Sequence, residues 1–181
     1  MAGFFYGRNM LNKLLDTSRT ARNQVPASIK QAKILMPNWV DGFEILNFGC
    51  GRYWRTADSH LFRQLGAATV THYDPFSLEA FYPYRYIEEV QEKFFDVVFV
   101  ANVLNVLNNY GLDKTLEQLA TINSDKFIIQ IYEGKKNGRG SLTRDGYQRN
   151  ERTEEYREKI HNAFGDSMIE RKGNVLIVDR Y

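Results

Sequence analysis

Ile45-Leu46-Asn47-Phe48-Gly49-Cys50-Gly51, answered further along by Tyr73-Asp74-Pro75, is the stretch on which the reading of this chain turns. The apolar run over residues 44–48 predicts a strand. The two glycines predict a sharp reversal into a helix, because a residue without a Cβ takes positive φ freely and lets the backbone approach a ligand. A second apolar run, residues 68–73, ends at Asp74. A carboxylate at the tip of the next strand can accept both hydroxyls of a ribose. Strand, glycine turn, helix and placed acid together point to a nucleoside held beyond the carboxyl ends of a parallel sheet. The plainer reading of the same residues is that the glycines only shape a turn and that Asp74 caps a helix through Ser77.

The rest of the chain alternates helical and extended periods. Ile29, Lys33 and Met36 share one helical face. Leu61, Phe62 and Leu65 share another that Gly66 ends, and Leu112, Leu116, Leu119 and Ile122 form a third. Residues 97–100 and 126–132 read as buried strands, while 84–87 reads as a short edge strand whose pairing Pro83 limits. Thr153 is placed to cap a helix with Glu154 and Glu155 in its first turn and Tyr156, Ile160 and Phe164 facing inward. Residues 168–171 and 175–178, joined by Lys172-Gly173-Asn174, predict a closing β-hairpin. The expected fold is α/β: one doubly wound, Rossmann-like domain whose mostly parallel sheet is closed by a C-terminal antiparallel hairpin. In that plan residues 1–25 form a basic arm, 26–181 the domain, and 134–152 a basic insertion within it.

Ile45 to Arg52, then Leu61, Leu65-Gly66, Val70 and Tyr73-Asp74-Pro75-Phe76, resemble the first two motifs of class I S-adenosylmethionine-dependent methyltransferases. Phe95-Asp96-Val97-Val98-Phe99-Val100, Asn102-Val103-Leu104-Asn105-Val106-Leu107 and Thr143-Arg144-Asp145-Gly146-Tyr147-Gln148 are similar to a branch associated with DNA phosphorothioation and its phage relatives. The resemblance implies S-adenosyl-L-methionine as the cofactor, with Asn47, Gly49, Cys50, Gly51, Asp74, Pro75, Phe76 and Asn102 around it. It also implies the closing hairpin and a setting of phage DNA modification or restriction evasion. The family usually has a third glycine after the Gly-Cys-Gly turn, where this chain has Arg52-Tyr53. It also has an acid where Asn47 stands. Nucleobase methylases usually carry an acidic or polar residue, two prolines and an aromatic after the fourth strand; Asn102-Val103-Leu104-Asn105 stands there instead.

The composition bounds the alternatives. With 181 residues, 43% hydrophobic and 14% aromatic, the chain can bury a substantial core. A formal charge of +2 says little about partners, so the distribution must decide. Arg8, Lys13, Arg19 and Arg22 crowd the N-terminal arm, and Lys135, Lys136, Arg139, Arg144 and Arg149 crowd the 134–149 segment. Either could meet a nucleic acid. The lone Cys50 allows no intrachain disulfide and reads as a small turn residue. No metal site is expected, and no stretch approaches a membrane span, which favours a cytoplasmic protein.

Methyl transfer needs alignment of a nucleophile and, where required, removal of a proton. Asn102 or Asn105 could orient an acceptor amine, Asp145 could take a proton, and Tyr147 could stack on a planar acceptor from a mobile lid. His60, His72 and His161 share no motif and are assigned no catalytic role. Three classes of function stay open: a methyltransferase acting on a nucleic acid or a small polar molecule, a non-catalytic module that binds a nucleoside or nucleic acid, and a nicotinamide-dependent oxidoreductase. The last is disfavoured by the missing third glycine.

Overall fold

Valine, isoleucine and phenylalanine on both faces of a strand require cover on both sides, and this chain supplies it with two helical layers. A computed structural model describes residues 24–51, 54–77, 82–143 and 146–180. Most of the basic arm, with Arg52, Tyr53, Arg144 and Asp145, lies outside the described residues. In chain order the elements are α1 (Ala27–Lys30), α2 (Ala32–Leu35), β1 (Glu44–Phe48), α3 (Trp54–Leu65), β2 (Thr69–Tyr73), α4 (Glu88–Gln91), β3 (Phe94–Phe95) and β4 (Val97–Ala101). There follow α5 (Asn109–Thr121), β5 (Asn123–Ser124), β6 (Lys126–Gln130), β7 (Ser141–Thr143), β8 (Gly146–Gln148), α6 (Arg157–Phe164), β9 (Ser167–Lys172) and β10 (Val175–Arg180).

The main sheet has the order β2-β1-β4-β6-β10-β9. Its first four strands run parallel, and β10 pairs antiparallel with both β6 and β9. Alternation sorts the side chains. Leu46, Phe48, Val98, Val100, Phe127, Ile129, Leu176 and Val178 bury one face under α5 and α6; Ile45, Val97, Phe99, Ile128 and Ile177 bury the other under α1, α2 and α3. This is the expected doubly wound layer order, and the expected closing hairpin is present with longer strands around a Gly173-Asn174 turn.

Several local expectations change. The first helix breaks at Gln31, and Ile29, Ala32, Leu35 and Met36 face inward, whereas Lys33 is exposed and pairs with Asp41 at 3.3 Å. Phe62 is 41% exposed; Ala57 takes its expected place beside Leu61 and Leu65. The segment expected as an edge strand is reduced to a single parallel bridge between Tyr73 and Tyr84. Thr153 caps nothing: its N–H and hydroxyl both donate to Glu133 Oε1, at 2.8 and 2.9 Å.

Candidate nucleoside-binding crevice

The carboxyl ends of β1, β2, β4 and β6 open onto one cavity of about 730 Å3, within the range of roughly 300–1,000 Å3 usual for small-molecule sites. Gly49 and Gly51 both adopt positive φ there, at 64° and 65°. The Gly49 N–H donates to the Tyr73 carbonyl at 2.7 Å, which stitches the turn to the end of β2. Asp74 completes the stitch, with Oδ2 accepting from the Gly51 N–H at 2.7 Å and Oδ1 from the Phe76 N–H at 2.8 Å. Asp74 is thus a cavity wall residue and also the clamp of the turn. A carboxylate offers about four acceptor positions, so these two roles are compatible.

The residues expected around a nucleoside converge. Asn47, Gly49, Cys50, Gly51, Asp74, Pro75, Phe76 and Asn102 all line the cavity. Asn102 sits just past β4 at φ 60°, with its Oδ1 accepting weakly from Gln130 Nε2 at 3.4 Å. Asn105 also reaches the cavity wall, but its amide is engaged elsewhere. Its Nδ2 donates to Gln148 Oε1 at 3.2 Å and its Oδ1 accepts from the Tyr132 N–H at 3.4 Å. The carbonyl oxygen that the sequence offers to an acceptor amine thus already accepts from the Tyr132 backbone, while the NH2 holds Gln148 of the insertion. Tyr147 lines the cavity, half-buried, beside Thr143 and Gln148; Asp145 lies outside the described residues.

The insertion, expected as a mobile lid, contains a short hairpin hydrogen-bonded to its surroundings. β7 and β8 pair antiparallel from Ser141↔Gln148 to Thr143↔Gly146. Asn150 donates to the Arg139 carbonyl at 2.9 Å and Gln148 to the Tyr132 carbonyl at 3.0 Å. Arg149, counted among the anion-attracting charges, is buried: it holds Glu151 at 2.6 Å, Asn109 at 2.9 Å and the Leu107 carbonyl at 3.2 Å. Lys135 and Arg139 are exposed, as is Lys136, which pairs with Glu133 at 2.8 Å.

Glu133 anchors the base of this hairpin. The Lys136 ammonium and then the Thr153 N–H stabilise its carboxylate, pulling its pKa from an ordinary 4.5 down to about 2. A depressed acid pKa adds stability that is complete above the unfolded value and disappears as pH falls through the folded one. The urea midpoint of the protein should therefore decline between pH 4.5 and about 2. The Glu133→Gln variant should start lower and show a shallower decline; an unchanged slope would place the acid sensitivity in other groups.

Sequence reasoning missed several cavity residues. Gln24, Val25, Lys30 and Gln130 close the side opposite the hairpin, and Gln130 Oε1 accepts from the Ser28 N–H at 2.7 Å. It also missed His72, which is fully buried and lies between Asn47 and Asp58. The signal existed: Asn47 stands two positions before Gly49 and His72 two before Asp74, so parallel pairing of the two motifs sets them side by side. Among the described residues no cluster of His, Cys, Asp or Glu could hold a metal ion, and no helix is long and apolar enough to cross a membrane.

No protein-family model and no curated protein matches the sequence. Solved structures do match the fold. A 1,6-didemethyltoxoflavin-N1-methyltransferase from Burkholderia thailandensis, with bound 1,6-didemethyltoxoflavin and S-adenosylhomocysteine, superposes with a TM-score of 0.61 at 17% identity over 99% of this chain and 91% of that one. A SAM-dependent methyltransferase from Archaeoglobus fulgidus gives 0.56 at 12% identity over 99% and 100%. The magnesium protoporphyrin IX methyltransferase of Synechocystis, with bound SAM, gives 0.55 at 16% over 99% and 92%. Identities this low speak to architecture alone, and the architecture these proteins share with this chain is a Rossmann-like α/β domain.

Proposed function

We propose that the protein is an S-adenosylmethionine-dependent methyltransferase whose acceptor is a nucleic acid or a small polar molecule. The observation that carries this reading is the meeting of the Gly49–Gly51 turn and Asp74 on the wall of one cavity of ligand size. Neighbours of the same fold hold SAM or S-adenosylhomocysteine. When bound, the sulfonium supplies an electrophilic methyl group. The residues present fit the rest of the molecule: the turn offers bare backbone to the nucleoside, Asp74 offers acceptors to the ribose hydroxyls, and Asn102 lines the same cavity. Thr143, Tyr147 and Gln148 line the same cavity, where the hairpin would limit the access of water to a bound ligand.

Among the described residues the titratable groups on the wall are Lys30, Cys50, Asp74, Tyr132 and Tyr147. This set favours an acceptor whose attacking atom already carries a free lone pair, with any proton passing to Asp145 or to solvent. A DNA acceptor would meet the exposed Lys135, Lys136 and Arg139 and the basic arm, in the setting of phage DNA modification or restriction evasion that the resemblance implies. A second reading, a nucleoside-binding module without turnover, is favoured by Asn47 standing where the family has an acid.

Calorimetric titration should show micromolar binding of S-adenosylmethionine and S-adenosylhomocysteine and no binding of NAD. Silence for all three would remove both readings. Incubation of cellular DNA, RNA and metabolites with methyl-labelled donor then separates them, since label appears in one pool for the enzyme and in none for the module. If the labelled pool is nucleic acid, binding should fall steeply with salt, and neutralising Lys135 and Lys136 should flatten that slope by about 2.

A further inference from the structure

A chain of three polar side chains runs beneath the glycine turn. Asn47 of β1 and His72 of β2 are register partners in the parallel sheet, on the face covered by α3, and α3 contributes Asp58. His72 has no exposed surface; Trp54 lies against it at 5.1 Å and Tyr82 meets it edge-on at 5.8 Å. Its Nε2 is 3.0 Å from Asp58 Oδ1 and its Nδ1 is 3.1 Å from Asn47 Nδ2.

Hydrogen-bond chemistry orders this chain in one direction. An ionised carboxylate only accepts, so Nε2 of His72 carries the proton. Burial lowers the pKa of His72, against the pull of Asp58, so the ring is neutral and Nδ1 is an acceptor. The group facing Nδ1 must then be the NH2 of Asn47. Since Asn47 lines the cavity, its carbonyl oxygen is the atom left on the cavity side. Without the two partners the amide has no preferred orientation, because its two ends differ only in hydrogen-bonding character.

We propose that Asp58 and His72 are positioning residues that hold the Asn47 amide with its oxygen toward the cavity, where it accepts from the amino group of the bound donor. The inference rests on the methyltransferase reading. Of the donor groups on that ligand, the ribose hydroxyls suit the carboxylate of Asp74, and the remaining two are the adenine amine, common to all three ligands compared below, and the ammonium, which gains most from an outward carbonyl. A carbonyl oxygen held outward in this way can receive an ammonium.

Three ligands with the same adenosine isolate the effect: S-adenosylhomocysteine, its desamino analogue and 5′-methylthioadenosine. Wild-type protein should prefer the first over the other two. Asp58→Ala, at the partly exposed end of the chain, and His72→Phe should each weaken S-adenosylhomocysteine by about 10-fold and leave the two amine-free ligands within about twofold. Added to Asn47→Ala, His72→Phe should cost nothing more, since it acts through that amide. An equal loss for all three ligands, or a full additional loss in the double variant, would overturn the proposal and reduce the chain to a packing feature. Failure of the wild type to bind any of them would instead overturn the methyltransferase reading itself.

Discussion

Replacing Asp74 by alanine is expected to be the most damaging single change to ligand binding, weakening S-adenosylmethionine by about 1.5–3 kcal/mol, roughly 10- to 150-fold. Two losses combine in it. The ribose loses a charged acceptor, and the turn loses its clamp, because the Gly51 and Phe76 N–H groups both rely on this carboxylate. Each amide left without an acceptor adds about 1–3 kcal/mol of folding instability where water cannot replace the bond. Asp74→Asn separates the effects. Its oxygen can keep one of the two backbone bonds, while its NH2 faces the other donor, so stability should recover in part and affinity should stay low. Calorimetry and urea denaturation on the same variants check both. Unaltered affinity in Asp74→Ala would mean that the ribose lies elsewhere.

Gly49→Ala should be the most destabilising change at the turn. An L residue at φ near 64° costs about 1–2 kcal/mol, and the new Cβ would run into the Val103 side chain, adding about 1–3 kcal/mol of overpacking. Val103→Ala in the same chain should recover only the second part, leaving the backbone term behind. Thermal or urea unfolding of the two variants and the double variant gives the split. Full rescue would show that the turn can relax its dihedral angle, and no rescue would show that Val103 is not the obstacle. The pairing of Gly49 with Val103 also explains why the loop after β4 approaches the glycine turn so closely, which narrows the cavity floor.

How far the candidate site could be read in advance depended on whether its residues were joined by local signals. Gly49, Gly51 and Asp74 were legible because each sits at a strand end, where chain direction and residue type together announce the geometry. The helix periods at Leu112, Leu116, Leu119 and Ile122 were legible for the same reason, and all four are buried. The hydrogen bonds of the 134–152 insertion were not legible in the sequence. Its glycines signalled freedom, whereas Asn105 and Tyr132, outside the insertion, both bond Gln148, and Asn150 bonds the Arg139 carbonyl across the insertion itself. Arg149 carried the same ambiguity: a basic residue in a basic segment reads as solvent-facing until Glu151, Asn109 and the Leu107 carbonyl are seen around it.

The amino-acid sequence by itself determined the layer order, the parallel strands with their antiparallel close, and the turn that shapes the crevice. Those features follow from side-chain periodicity and from the conformational freedom of two glycines, both properties of contiguous residues. Only the tertiary structure decided which polar groups meet: Asn47 with His72 and Asp58, Gln130 with Ser28, and Glu133 with Thr153 and Lys136. Hydrogen bonds act over about 3 Å, and residues far apart in the chain reach that distance only after strand register and helix docking have been set by the apolar core.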